Sequence, residues 1–423
     1  MLALHGGSPI IAPSASHYVW PVITDLTRQA INDQLGRTVS IYDRSGIFKE
    51  FEEKFVRYHG TKFALVTNSG TSALFGIYEG LGLGPEDEVI CADYSFFATS
   101  GPLAYLGVRP LFCDVDQNGN LDPIELERLI SSRTKAVVVT HMWGVPCQMD
   151  RITELCSKNG VALVEDCSHA HGAKFGQRLV GTFGAAAAWS LQAQKLVTGG
   201  EGGILTTSDR TIYNRAQLQG QYNKRCREEI DRNDPLYQFA LTGFGLKLRA
   251  HPLAIAMALE QFGHLDHWIA QKSKFAAKFD EALHEYPFVS APKISGTTPS
   301  WYAYTFRFDG TETNADRDLF VEALHAEGLR EVDVPNSIRP VSDLALYTVP
   351  EQGMARLDHF PQPLRRTDGK NPASRQYWAS AVKLPVWAFP EDEGIVDKYV
   401  EGLRKVCDAV RSGELRSSDR RRA

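Results

Sequence analysis

The chain has 423 residues, 43% of them hydrophobic and 23% charged, which suffices for a large core divided over two or three domains. A formal net charge of -5 gives no electrostatic case for nucleic acid or an anionic membrane as partner, and no apolar run approaches the roughly 20 residues of a membrane span. Seven cysteines, at 91, 113, 147, 156, 167, 226 and 407, include no CxxC pair, so they read as reduced core residues of a cytoplasmic protein, with no metal site. The opening lacks a signal-peptide layout, and the one basic run, 416–422, reads as a frayed terminus.

Residues 1–22 form an irregular arm containing GGSP (6–9) and Trp20-Pro21. The stretch 22–60 reads as helix, turn, helix, with Phe48, Phe51, Phe55 and Tyr58 at helical spacing and therefore in the core. Strands and helices then alternate: strand 63–67, helix 72–80, strand 88–92, helix 95–105, strand 110–113, helix 123–130, strand 136–140, helix 149–159, strand 161–165. Two more apolar runs, 185–189 and 203–207, bring the strands to seven. The pattern predicts an α/β fold: a seven-stranded, mostly parallel sheet sandwiched by helices over 23–250. From 251 to 423 the pattern changes to a smaller C-terminal α+β domain, with a helix over 252–280, an alternating strand over 302–308, a helix over 314–328 capped by Asn314, and a closing helix over 391–410. The Pro- and Gly-rich segment 332–372 reads as a long loop.

Sheets of this kind bind ligands at the carboxyl ends of their strands. Strand 63–67 runs into NSGTSAL (68–74), where small residues lead directly into a helix. Free N–H groups and the helix dipole there suit a phosphate, with hydroxyls from Thr71 and Ser72; an ordinary capped helix is the alternative. Strand 161–165 ends in EDCSHAHGA (165–173). Asp166 at that buried position needs a partner, which the protonated ring nitrogen of a ligand would supply, with His169 in reach; the alternative is a helix cap. Lys195 sits in a loop rich in Gly, Thr and Gln between two buried strands. Held there it can be desolvated and made nucleophilic, although an isolated lysine is more often solvated. Arg307 and the GLKLR stretch (245–249) add cations whose ordinary reading is surface charge.

Together these parts fit one cofactor, pyridoxal 5'-phosphate (PLP). Its phosphate needs a helix start, its pyridine nitrogen an acid, and its aldehyde a lysine. An aromatic stacked on the ring is also expected. Phe96, after the second strand, is the choice for that role, leaving Phe97 to the core; core packing is the alternative for Phe96 too.

The motifs NSGTSAL, LGPEDEVICADYSFFATS (83–100), RTKAVVVTHMWGVPCQMDRI (133–152), EDCSHAHGA, GTFGAAAAWSLQAQKLVTGGEGGILTTSD (181–209) and KLPVWAFPEDE (383–393), in this order and spacing, resemble the DegT-type sugar aminotransferases of the fold type I PLP enzymes. The resemblance implies that Lys195 forms the Schiff base and shuttles the proton, and that Asp166 pairs with the pyridine nitrogen. It implies that Phe96 stacks on the ring and that Gly70, Thr71, Ser72 and Ser190 hold the phosphate. His169 stands where the family has Gln, a donor to the cofactor's phenolic oxygen. Lys247 aligns with an Asn that reaches the phosphate from the partner subunit, so a homodimer with shared active sites is implied. The opening looks closer to the cyclitol and aminohydroxybenzoate branch.

The expected reaction moves an amino group from L-glutamate or L-glutamine to a keto sugar, sugar nucleotide or keto-cyclitol, for an antibiotic or a surface glycan. The rivals are a PLP-dependent dehydratase or aromatising enzyme, against which the presence of Lys195 argues, and a non-catalytic regulatory homologue.

Overall fold

The computed structural model describes residues 1–15, 17–311, 313–349 and 371–416. Its central sheet has seven strands: β1 (Phe63–Thr67), β2 (Glu88–Ala92), β3 (Arg109–Cys113), β4 (Thr134–Thr140), β5 (Ala162–Asp166), β6 (Ala186–Ser190) and β7 (Gly203–Thr207). The order is β1-β7-β6-β5-β4-β2-β3. From β6 to β3 all neighbours are parallel, while β7 runs against both β6 and β1. Residues 191–202 contain no helix to carry a crossover, so β6 and β7 pair as a hairpin and the lysine loop stays at one end of the sheet.

Alternation along the strands feeds two apolar layers. Val66 and Ile204 join Phe48, Phe51, Phe55, Trp189 and Phe262 on one face. Leu65 and Leu205 join Leu74, Ile77 and Tyr213 on the other. All seven cysteines are free and buried, as their placement in apolar runs suggested. The C-terminal part has its own three-stranded antiparallel sheet of Val289–Ser290, Tyr304–Phe308 and Ala381–Leu384. Its core gathers Phe279, Phe306, Phe320, Val382 and Leu403, and Leu2 and Ile11 of the N-terminal arm pack into it. Among the described residues, no helix is long and apolar enough to cross a membrane.

Several expectations are corrected. The helix expected over 95–105 is instead a two-residue strand, Tyr94–Ser95, a 3-10 turn, Phe97–Thr99, and a short helix, Gly101–Tyr105. Pro102 has no N–H for the carbonyl of Ala98, so one continuous helix cannot pass through it. Phe97 is not in the core but 47% exposed. The helix over 252–280 is two, Pro252–Phe262 and Leu265–Leu283, broken where Gly263 and His264 turn back onto Glu260 and Gln261. Asp316, not Asn314, caps the helix Arg317–Ala326, accepting from Leu319 N at 2.9 Å. Within 332–349 there is a strand, Arg339–Pro340, paired with Tyr94–Ser95, and a helical turn, Ala345–Thr348. Residues 350–370 of the expected loop, and 417–422 of the basic tail, lie outside the described residues.

Candidate active site

The carboxyl ends of β1, β4, β5 and β6 and the loop after β2 surround a cavity of about 670 Å³. Gly70 and Thr71, Phe96 and Thr99, Asp166 and His169, and Ser190 and Lys195 all line it. Residues as far apart in sequence as Gly70 and Lys195 thus share one chamber because β1, β2, β4, β5 and β6 all end on the same side of the sheet.

The phosphate corner is built by close approach. Ser69 caps the helix Gly70–Gly80, accepting from Ser72 N at 3.0 Å. A Cβ on Gly70 would lie 2.9 Å from Ser190 Cβ, and one on Gly203 would lie 2.3 Å from the Ser69 carbonyl oxygen. Only glycine lets these three segments meet, and the helix start then faces the cavity beside Ser190. Ser72 does not reach the cavity: its Oγ donates to Asn68 Oδ1 at 2.6 Å and lies 3.0 Å from Ser69 Oγ.

Asp166 closes the last turn of β5 and is 4% exposed. Ser168 N–H donates to its Oδ1 at 3.1 Å, and Thr99 Oγ1 to its Oδ2 at 2.7 Å. No helix follows, so the cap reading of Asp166 reduces to a local turn. The neighbouring Glu165 faces away from the cavity and accepts from the backbone N–H groups of Gly181, Phe183 and Gly184 at 2.6–2.8 Å.

Lys195 is partly buried, and desolvation lowers its amine to about 8 against the upward pull of Asp166. Its Nζ lies 4.6 Å from the centroid of the Tyr302 ring. The loop is fixed from behind, since Trp20 Nε1 of the arm donates to the Lys195 carbonyl at 3.0 Å. His169 is held neutral: burial first, then Lys195, push its pKa well below the usual range. Its ring stacks on Tyr302 at 4.0 Å and 4°, and on Trp143 at 5.6 Å and 23°. Its Nδ1 is buried without a hydrogen-bond partner among the described residues.

A depressed lysine does not identify the site by itself. Burial lowers Lys272 to about 7, yet it donates to the carbonyls of Trp301 and Val386 beneath the rings of Tyr18 and Trp20, and it does not line the cavity.

Phe96 is 37% exposed on the cavity wall, its ring 4.1 Å from that of Phe97. Lys247 is exposed, and neither it nor Arg307 lines this cavity. Thr99, Trp143 and Tyr302 do line it and were missed in the sequence. Thr99 lies in the run after β2, where the strand-end rule could have found it; Tyr302 sits in the bend before the strand Tyr304–Phe308 of the C-terminal part and carried no such signal.

The set matches the demands of PLP on this structure's own terms. It offers an amine that is nucleophilic near neutral pH, a buried carboxylate ready for a cationic ring nitrogen, a helix start cleared of side chains, and an imidazole nitrogen lacking a partner.

Comparison with known proteins agrees. The family model described as "DegT/DnrJ/EryC1/StrS aminotransferase family" matches residues 36–387. The chain is 31% identical over 336 residues to the L-glutamine:2-deoxy-scyllo-inosose aminotransferase of Streptomyces kanamyceticus, covering 77% of this chain and 78% of the relative. It is 32% identical over 297 residues to the GDP-perosamine synthase of Caulobacter vibrioides, covering 69% and 77% respectively. The crystal structure of an aminotransferase from Psychrobacter cryohalolentis superposes with a TM-score of 0.81 at 23% identity, over 94% of this chain and 100% of that one, and so shares its fold.

Proposed function

Since this chain belongs to the DegT/DnrJ/EryC1/StrS aminotransferase family, whose members depend on PLP, we propose that it moves an amino group from L-glutamate or L-glutamine to a keto sugar, sugar nucleotide or keto-cyclitol in the cytoplasm. Support for that substrate class comes from relatives that are named as acting on an inosose or as making a GDP-amino sugar. The observation that carries the reading is the meeting of Lys195, Asp166 and the helix start at Gly70 in one cavity.

Bound PLP supplies an electrophilic aldehyde and a ring that accepts the electrons released when the donor's Cα loses its proton. Everything else falls to the chain. With its amine lowered to about 8, Lys195 carries far more free base near neutral pH than a solvated lysine does. Its Nζ would hold the aldehyde in the resting enzyme and, once displaced from it by the donor's amine, would be the free base placed to move the Cα proton. Asp166, fixed by Thr99 and Ser168, would keep the ring nitrogen protonated. The N–H groups of Gly70 and Thr71, with the Ser190 hydroxyl, would hold the phosphate. Phe96 would cover one ring face, and neutral His169 would donate to the phenolic oxygen.

Lys247 serves the other subunit of a homodimer. The exposed apolar side chains beside it, Leu241, Phe244 and Leu246, support that role. The test of the reaction is product analysis: protein, PLP and L-glutamine or L-glutamate are mixed with a panel of keto-cyclitols and keto sugar nucleotides. Formation of an amine carries the proposal. A dehydrated or aromatised product, or no reaction with any member, counts against it.

A further inference from the structure

The cavity has a second cation that the chemistry above does not use. Among the described residues lining it, Lys195 and Lys383 are the two lysines, and there is no arginine. Lys383 lies on the strand Ala381–Leu384, in register with Thr305. Its Nζ meets Asp333 Oδ2 at 3.1 Å. The two residues also exchange backbone hydrogen bonds, Asp333 N–H to the Lys383 carbonyl at 2.7 Å and Lys383 N–H to the Asp333 carbonyl at 2.8 Å. Both side chains therefore issue from one rigid point on the rim. Lys383 is also among the charges, after burial, Lys195 and His171, that push the pKa of His169 down.

We propose that Lys383 receives the α-carboxylate of the amino donor, giving up Asp333 to do so. The inference rests on the aminotransferase reading and names the residue by which that site recognises an amino acid. The side chains of Lys383 and Asp333 are 29% and 52% exposed, so their ion pair contributes about 1 kcal/mol or less and is readily exchanged. The charge balance favours a carboxylate over a diphosphate. Apart from Lys195 and Asp166, the lining carries one ammonium, Lys383, against the carboxylates of Asp333 and Glu201, a balance that suits a single negative charge and disfavours a polyanion. L-Glutamate and L-glutamine share the α-carboxylate and differ at the other end, so the interaction serves either donor.

The test follows the donor half-reaction of the PLP-loaded enzyme by loss of its visible absorbance, at varied L-glutamate and L-glutamine. Lys383→Met should raise the half-saturating concentration of both donors by about tenfold to a hundredfold, the loss of one charge-assisted hydrogen bond. The limiting rate and the dissociation constant for PLP should stay within about threefold, and Lys383→Arg should restore most of the donor affinity. Asp333→Asn removes the competing carboxylate and should lower half-saturation about two- to fivefold. Half-saturation unchanged in Lys383→Met, an effect confined to L-glutamate, or a rise in Asp333→Asn would overturn the assignment while leaving the aminotransferase reading standing. Wild-type enzyme that reacts with neither donor would overturn both.

Discussion

Replacing Lys195 by methionine should make the cofactor-free protein more stable. The amine falls from 10.5 in a solvated chain to about 8 in the fold. At about 1.36 kcal/mol per unit, keeping it protonated costs the folded state about 3 kcal/mol at pH 7. Its approach to the Tyr302 ring, 4.6 Å from the centroid, returns about 1 kcal/mol. Methionine keeps the apolar stem and removes the charge, so the net gain is about 2 kcal/mol. The sign with pH is fixed by the direction of the shift. The folded state gives up the proton first, so the penalty is complete below pH 8 and fades between 8 and 10.5. Urea titrations of wild type and Lys195→Met, both freed of cofactor, should show the variant ahead by about 2 kcal/mol at pH 7 and by less than about 1 kcal/mol at pH 10. A variant less stable at pH 7, or a gain of equal size at both pH values, would refute the reasoning.

Other perturbations test other parts of the site. Asp166→Ala should bind PLP weakly and lose about two orders of magnitude or more in the donor half-reaction; normal half-reaction rates would exclude the role given to Asp166. Thr99→Val leaves Asp166 Oδ2 without its 2.7 Å donor, and PLP affinity should fall about tenfold by spectroscopic titration, whereas an unchanged affinity would make Thr99 incidental. Gly70→Ala forces a Cβ to within 2.9 Å of Ser190 Cβ at the phosphate corner. It should weaken PLP more than it weakens pyridoxal, which lacks the phosphate; equal losses for both would count against a phosphate site there.

The sheet was legible because its strands are short apolar runs separated by helical patterns, and all seven lie within a residue or two of their expected positions. The site positions that follow strand ends were legible for the same reason: Gly70, Asp166 and Lys195 sit where topology brings loops together. What failed was local. A proline inside an apolar run broke the helix expected over 95–105, and that break is what delivers Thr99 to Asp166. Ser72 carries the residue type for phosphate binding, but its hydroxyl is taken up by Asn68 and Ser69. Tyr302, Asp333 and Lys383 come from the C-terminal part, and only the packing of the two sheets against one cavity brings them to it. Trp20 was read as part of an irregular arm, and its indole N–H holds the Lys195 carbonyl across 175 positions of chain.

A single amine, that of Lys195, should carry the cofactor. Protein incubated with PLP, reduced with borohydride and digested should yield one labelled peptide, with the pyridoxyl group on Lys195 at about one equivalent per chain. Lys272, whose amine is lowered to about 7, is the internal control, because it is equally primed for chemistry yet walled off beneath Tyr18 and Trp20. Label on Lys272, label spread over surface lysines, or none at all would contradict the central claim.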